Sequence, residues 1–210
     1  MALDYGAINL SQGFPDFMID EQIIRLVHRY MLEGHNQYAP MPGTPALRKA
    51  ITNVIQKTYG RTLDPETQIT VTSGATESTY SIIAALISPG DEVIVFDPSY
   101  DSYNPAVRLN GGVPIHINLN GTDFSIDWQE VRAKIGSRTK MIIINTPHNP
   151  SGAVLKEKDL QELEKIALEF DLLILSDEVY ERLIYDGIPH QSVLRYPALA
   201  EHALAVFSFG

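Results

Sequence analysis

Cysteine is absent from this chain of 210 residues, which excludes a disulfide framework and any thiolate metal site. A reducing compartment is compatible with that absence. Basic residues are few, 16 Lys and Arg against 26 Asp and Glu, for a formal net charge of -10. A field of that sign repels phosphates, so the expected partner is a small molecule, with no nucleic acid and no membrane surface involved. No apolar run approaches the roughly 20 residues of a membrane helix, and the N-terminus has no basic segment followed by an apolar one. A cytoplasmic protein is expected. The six histidines, His28, His35, His116 and His148 among them, have no metal-like spacing with one another or with nearby acids, so no metal is expected.

What is present is enough apolar residue for a large core, 44% of the sequence, distributed in an ordered way. Short β-rich runs recur at Ile69–Thr72, Val93–Phe96, Pro114–Leu119, Met141–Asn145, Leu172–Ser176 and Leu204–Ser208. They alternate little with polar residues, as strands buried on both faces do. Helical spacing fills the intervals at Glu21–Glu33, Pro45–Tyr59, Thr76–Ile87, Ser102–Asn110, Trp128–Lys134 and Lys156–Phe170. The alternation predicts an α/β fold, a mostly parallel sheet with helices on both faces. The first 45 residues differ, being loop-like and rich in Pro, Gly and aromatics, so the expected division is a segment 1–45 and a large domain 46–210.

Ligands of an open parallel sheet collect at the carboxyl ends of its strands, and four segments fall there. Thr72-Ser73-Gly74-Ala75-Thr76-Glu77 leaves a strand through a glycine into a helix whose first amides attract a phosphate, or is simply a cap. Tyr100, in Asp97-Pro98-Ser99-Tyr100, offers a ring face to a planar ligand, or packs under its own loop. Asn145-Thr146-Pro147-His148-Asn149-Pro150-Ser151-Gly152 specifies a rigid loop in which the Asn149 amide can donate to a ligand oxygen. Asp177, closing the run Leu172–Ser176, is a carboxylate leaving a buried strand. It needs a cation or strong donors to stay ionised, and a protonated ring nitrogen would satisfy it, although a helix cap is the plainer use. If the chain turns helical there, Tyr180 addresses the same ligand from the next turn.

In order and spacing these segments, with Ile8 to Phe17 and Asn36-Gln37-Tyr38, resemble the fold-type I pyridoxal-phosphate enzymes. The likeness is to class I/II aminotransferases, and within them to the kynurenine, glutamine and methionine aminotransferase subgroup. The resemblance covers nearly the whole chain and implies the large domain of that fold. It implies that Gly74, Ala75 and Thr76 form the turn holding the phosphate of pyridoxal 5'-phosphate, with Ser208 adding a contact, and that Tyr100 stacks on the pyridine ring. It assigns Asn149 and Tyr180 to the phenolic oxygen and Asp177 to the ring nitrogen, where an ionised carboxylate keeps the proton that makes the ring an electron sink. Gly13 and Asn149 would lie beside the substrate carboxylate, and Tyr38 would reach the phosphate of a neighbouring subunit in a homodimer. Cis peptide bonds are implied at Asp97-Pro98 and Asn149-Pro150.

In the family the Schiff-base lysine follows directly on the Ser-x-Gly that here is Ser208-Phe209-Gly210, so it is expected at the next position of a longer parent chain, followed by a small C-terminal domain. The activity implied is amino-group transfer from a methionine, aromatic or kynurenine-like amino acid to a 2-oxo acid. A carbon-sulfur lyase using the same cofactor, or a non-catalytic sensor domain of the same shape, are the alternatives. A nicotinamide-binding domain lacks its G-x-G-x-x-G here.

Overall fold

A strand can be buried at every position only if both faces of its sheet are covered, and residues 93–96, 141–145 and 174–177 of this chain are buried throughout. The computed structural model describes all residues except 1, 3, 10–12, 14, 16 and 210. Leu10, Ser11, Gln12, Phe14 and Asp16 of the N-terminal motif, and Gly210, therefore lie outside the described residues. The chain divides into two compact units, Met1–Pro40 and Met41–Gly210. In the first, helix α1 (Glu21–Leu32) starts at Asp20, whose carboxylate accepts the Gln22 amide at 2.7 Å, and none of its residues is buried.

The second unit runs α2 (Pro45–Tyr59), α3 (Ala75–Leu86), β1 (Glu92–Asp97), α4 (Tyr103–Leu109), β2 (Val113–Asn118), α5 (Trp128–Lys134), β3 (Thr139–Asn145), α6 (Glu157–Phe170), β4 (Leu173–Asp177), α7 (Pro197–Glu201) and β5 (Ala203–Val206). Among the described residues the strands form one sheet in the order β2-β1-β3-β4-β5, every pairing parallel. Successive side chains of a strand point to opposite faces, and the core divides accordingly. Val93, Val95, Met141, Ile143 and Leu175 pack with Ile83 of α3 and Tyr103, Ala106 and Val107 of α4. Ile94, Phe96, Ile142, Ile144 and Ile174 pack on the other face with Ile55 of α2, Val131 of α5, Leu163 and Ile166 of α6 and Leu199 of α7. The expected two-sided α/β sheet is present.

Four local expectations need correction or extension. Ile69–Thr72 is not a strand: Ile69 joins the core and the Val71 amide donates to the Pro42 carbonyl at 3.0 Å, but no neighbouring described strand offers a ladder. The last strand stops at Val206, leaving Phe207 to Phe209 without regular structure. After Asp177 the chain makes tight turns, Glu181 amide to Glu178 carbonyl at 3.0 Å and Leu183 amide to Tyr180 carbonyl at 2.8 Å, in place of the helix considered above. Helix α7, opened by Pro197 at its first turn, is short enough to escape detection by periodicity. The Asp97-Pro98 and Asn149-Pro150 bonds are cis, and so is Thr146-Pro147.

Behind β4 a buried polar cluster fixes the exit of that strand. Glu178 has no exposed surface; one carboxylate oxygen accepts from the Ser176 hydroxyl at 2.8 Å and the Val193 amide at 3.2 Å, and the other pairs with His190 Nε2 at 2.7 Å. These bonds tie the loop 178–192 back to the sheet from below. Replacing Glu178→Ala leaves three buried donors unpaired, and the expected loss is about 3 to 5 kcal/mol in the complete protein. Urea unfolding measures it, and a loss under 1 kcal/mol would contradict the clamping role.

Candidate functional site

Parallel pairing brings the strand ends level. Asn145 lies opposite Asp177, and Asp177 opposite Val206, so the loops after β1, β3, β4 and β5 emerge together above the sheet's carboxyl edge. They enclose a cavity of about 260 Å³ lined by Ala75, Thr76, Thr79, Tyr100, Asn145, Asn149, Asp177, Val179, Tyr180 and Ser208. Of the residues singled out from sequence, Ala75, Thr76, Tyr100, Asn149, Asp177, Tyr180 and Ser208 converge here. Gly74 opens the turn into α3 at φ 90°, ψ 165°. A Cβ there would meet nothing within 4 Å, so it is the positive φ, not space, that selects glycine. Gly13 and Tyr38 belong to the first unit, where both are exposed.

Asp177 sits at the base of the cavity with only 5% of its surface exposed. The Tyr103 hydroxyl donates to its Oδ2 at 2.5 Å and the Val179 amide to its Oδ1 at 3.2 Å. Burial pushes its pKa up, while the two donors act against that rise and neighbouring Glu178 adds to it. The Tyr103 hydroxyl is driven upward as well, by its own burial and then by the adjacent carboxylate, which keeps it a donor.

The Asn145 side chain organises the loop beside it, donating to the Asp177 carbonyl at 2.9 Å and accepting the Asn149 amide at 2.6 Å. Held in that way, Asn149 Nδ2 reaches the Tyr180 hydroxyl at 3.4 Å, so two polar side chains from different strand ends meet above Asp177. On the far side, α3 begins without a side-chain cap, leaving its first amides directed at the cavity's edge. Sequence reasoning missed Tyr103, Asn145 and Thr79. Thr79 lies one helical turn beyond Thr76, a spacing that was legible once α3 was placed; nothing in the sequence distinguished Tyr103 from a core aromatic.

The lining offers four kinds of contact to a ligand. An uncapped helix start with nearby hydroxyls favours a phosphate, Tyr100 offers a ring face, the Asn149 and Tyr180 pair suits an anionic oxygen, and a buried carboxylate can accept from a protonated nitrogen. Pyridoxal phosphate is one ligand that would offer all four groups. No helix among the described residues is long and apolar enough to cross a membrane, and no group of three or more potential metal ligands occurs among them.

Comparison with known proteins identifies the family. Residues 5–210 match the family model for aminotransferase class I and II. The methionine aminotransferase of Escherichia coli K12 is 46% identical over 210 residues, which cover all of this chain and 54% of the relative. Human kynurenine–oxoglutarate transaminase 3 is 37% identical, and 49% of it is covered. The crystal structure of YbdL from Escherichia coli, for which a methionine aminotransferase function was identified, superposes with a TM-score of 0.97 over the whole chain and 55% of its own. The chain spans about half the length of the curated relatives it matches. With the strand-end cavity, the family match over 206 of its residues' span from 5 to 210 and the near-complete superposition in agreement, the chain belongs to the class I and II aminotransferase family.

Proposed function

We propose that the complete protein transfers an amino group from an amino acid to a 2-oxo acid, using pyridoxal phosphate held in the cavity above Asp177. The observation that carries this is a carboxylate at 5% exposure at the floor of a cavity large enough for a small ring. When bound, the cofactor supplies an electron sink for the charge left on the amino acid's α-carbon once its proton is removed. The residues of this chain bind and orient it. Asp177 holds a proton on the ring nitrogen; Asn149 and Tyr180 donate to the phenolic oxygen; Tyr100 covers one ring face. The amides of Ala75 and Thr76, with the turn at Gly74 and the Ser208 hydroxyl, retain the phosphate.

The substrate class proposed is methionine, aromatic or kynurenine-like amino acids, a reading supported by the methionine and kynurenine enzymes among its relatives. Residues 1–45 are proposed as the substrate and dimer-contact segment, with Gly13 and Asn149 near the substrate carboxylate, and 46–210 as the cofactor domain. Tyr38 is fully exposed, which suits a side chain that completes the phosphate site of a second subunit in a two-fold dimer.

Three outcomes are expected. Asp177→Asn in the complete protein should lower kcat for methionine transamination by about 100-fold or more while leaving the fold intact, because the nitrogen's counter-charge is removed. Turnover within a few-fold of the unchanged protein would remove Asp177 from its role. The codon after Gly210 in the parent gene should encode lysine, the residue that binds the cofactor covalently; borohydride reduction followed by peptide mapping identifies it. Tyr38→Phe should weaken cofactor retention, and mixing it with Asp177→Asn subunits should restore a measurable fraction of sites if each site is shared. Absence of that complementation in a stable dimer counts against sharing.

A further inference from the structure

Tyr103 stands outside the cavity and is 3% exposed. It lies in the core beneath the cavity floor, packed among Val93, Val95, Val107, Ile143 and Leu175. A phenylalanine would fill such a place without the cost of burying a hydroxyl, so the oxygen calls for an explanation. Its one observed partner is Asp177 Oδ2, at 2.5 Å. The same ring meets Tyr100 edge to face, with centroids 5.6 Å apart and planes at 69°. One buried side chain thus touches both residues proposed to contact the cofactor ring, the carboxylate through its hydroxyl and the aromatic cover through its edge.

We propose that Tyr103 is a positioning residue that orients the Asp177 carboxylate toward the cavity, holds it in its charged form, and buttresses Tyr100. This rests on the function proposed above. No ion pair reaches Asp177 among the described residues, so neutral donors alone, the Tyr103 hydroxyl and the Val179 amide, favour its charge. Against them stand burial and the neighbouring carboxylate of Glu178, itself paired with His190. Tyr100 and Tyr180 are near enough to the Tyr103 hydroxyl to act on it electrostatically, both favouring its neutral form. With Oδ2 engaged by Tyr103, the carboxylate is rotationally fixed by two bonds, one to each oxygen, and a ligand nitrogen arriving from the cavity meets it already oriented.

The test uses the complete protein stripped of cofactor, with pyridoxal phosphate affinity measured by equilibrium dialysis across pH. The unchanged protein should lose affinity on the acid side as Asp177 takes up a proton. That limb should vanish in Asp177→Asn. In Tyr103→Phe the hydroxyl no longer favours the ionised carboxyl, so its folded pKa rises and the limb should move to higher pH by about one unit. Tyr103→3-fluorotyrosine keeps the shape and donates more strongly, so it should move the limb the other way even if Tyr103→Phe does not fold. A limb at the same pH in the folded variants, or one that survives in Asp177→Asn, overturns the inference, since a merely structural Tyr103 would change stability and not the midpoint. Failure of the unchanged complete protein to bind pyridoxal phosphate at any pH would overturn the proposed function, and this inference with it.

Discussion

A carboxylate at the end of a buried strand run, residues 174–177, is the constraint on which the site depends. Asp177 follows Ile174 and Leu175, which have no exposed surface, and Ser176, equally buried, so the chain delivers a charge into surroundings that oppose it. The fold answers with donors from two directions. Tyr103 arrives from helix α4 beneath the sheet's edge, and the Val179 amide comes from the turn that follows. What remains open is the side that faces the cavity, where the proposed ligand's protonated nitrogen would complete the set.

The surrounding architecture reads as the means of holding that charge still. Every strand of the described sheet is parallel, so all carboxyl ends fall on one edge and four separate loops meet there. The Asn145 side chain locks two of those loops together, and its neighbour in register is Asp177 itself. Below the floor, Glu178 turns away from the cavity and spends its charge on His190, Ser176 and the Val193 amide. Two acids adjacent in sequence therefore serve opposite ends: one faces the cavity, the other anchors the loop that carries Tyr180. The alternation of side-chain direction along an extended segment is what separates them.

The sequence by itself determined the alternation of elements. Runs such as Met141–Asn145 and Leu172–Ser176 allow no exposed face, and the helical spacing between them leaves a two-sided parallel sheet as the arrangement that buries both. It also determined which residues would fall at strand ends and helix starts, and Ala75, Tyr100, Asn149, Asp177 and Ser208 do line one cavity there. It misjudged Ile69–Thr72, since β-propensity creates no strand without a paired neighbour, and it left open a helix after Asp177 where turns occur. Only the tertiary structure decided that Tyr103, 74 positions earlier, donates to Asp177, that Asn145 braces Asn149, and that Glu178 belongs to the scaffold. The physical reason is range: periodicity and turn chemistry are set by neighbours in the chain, whereas the partner of a buried charge is set by which side chains the packing of different elements brings within hydrogen-bonding distance.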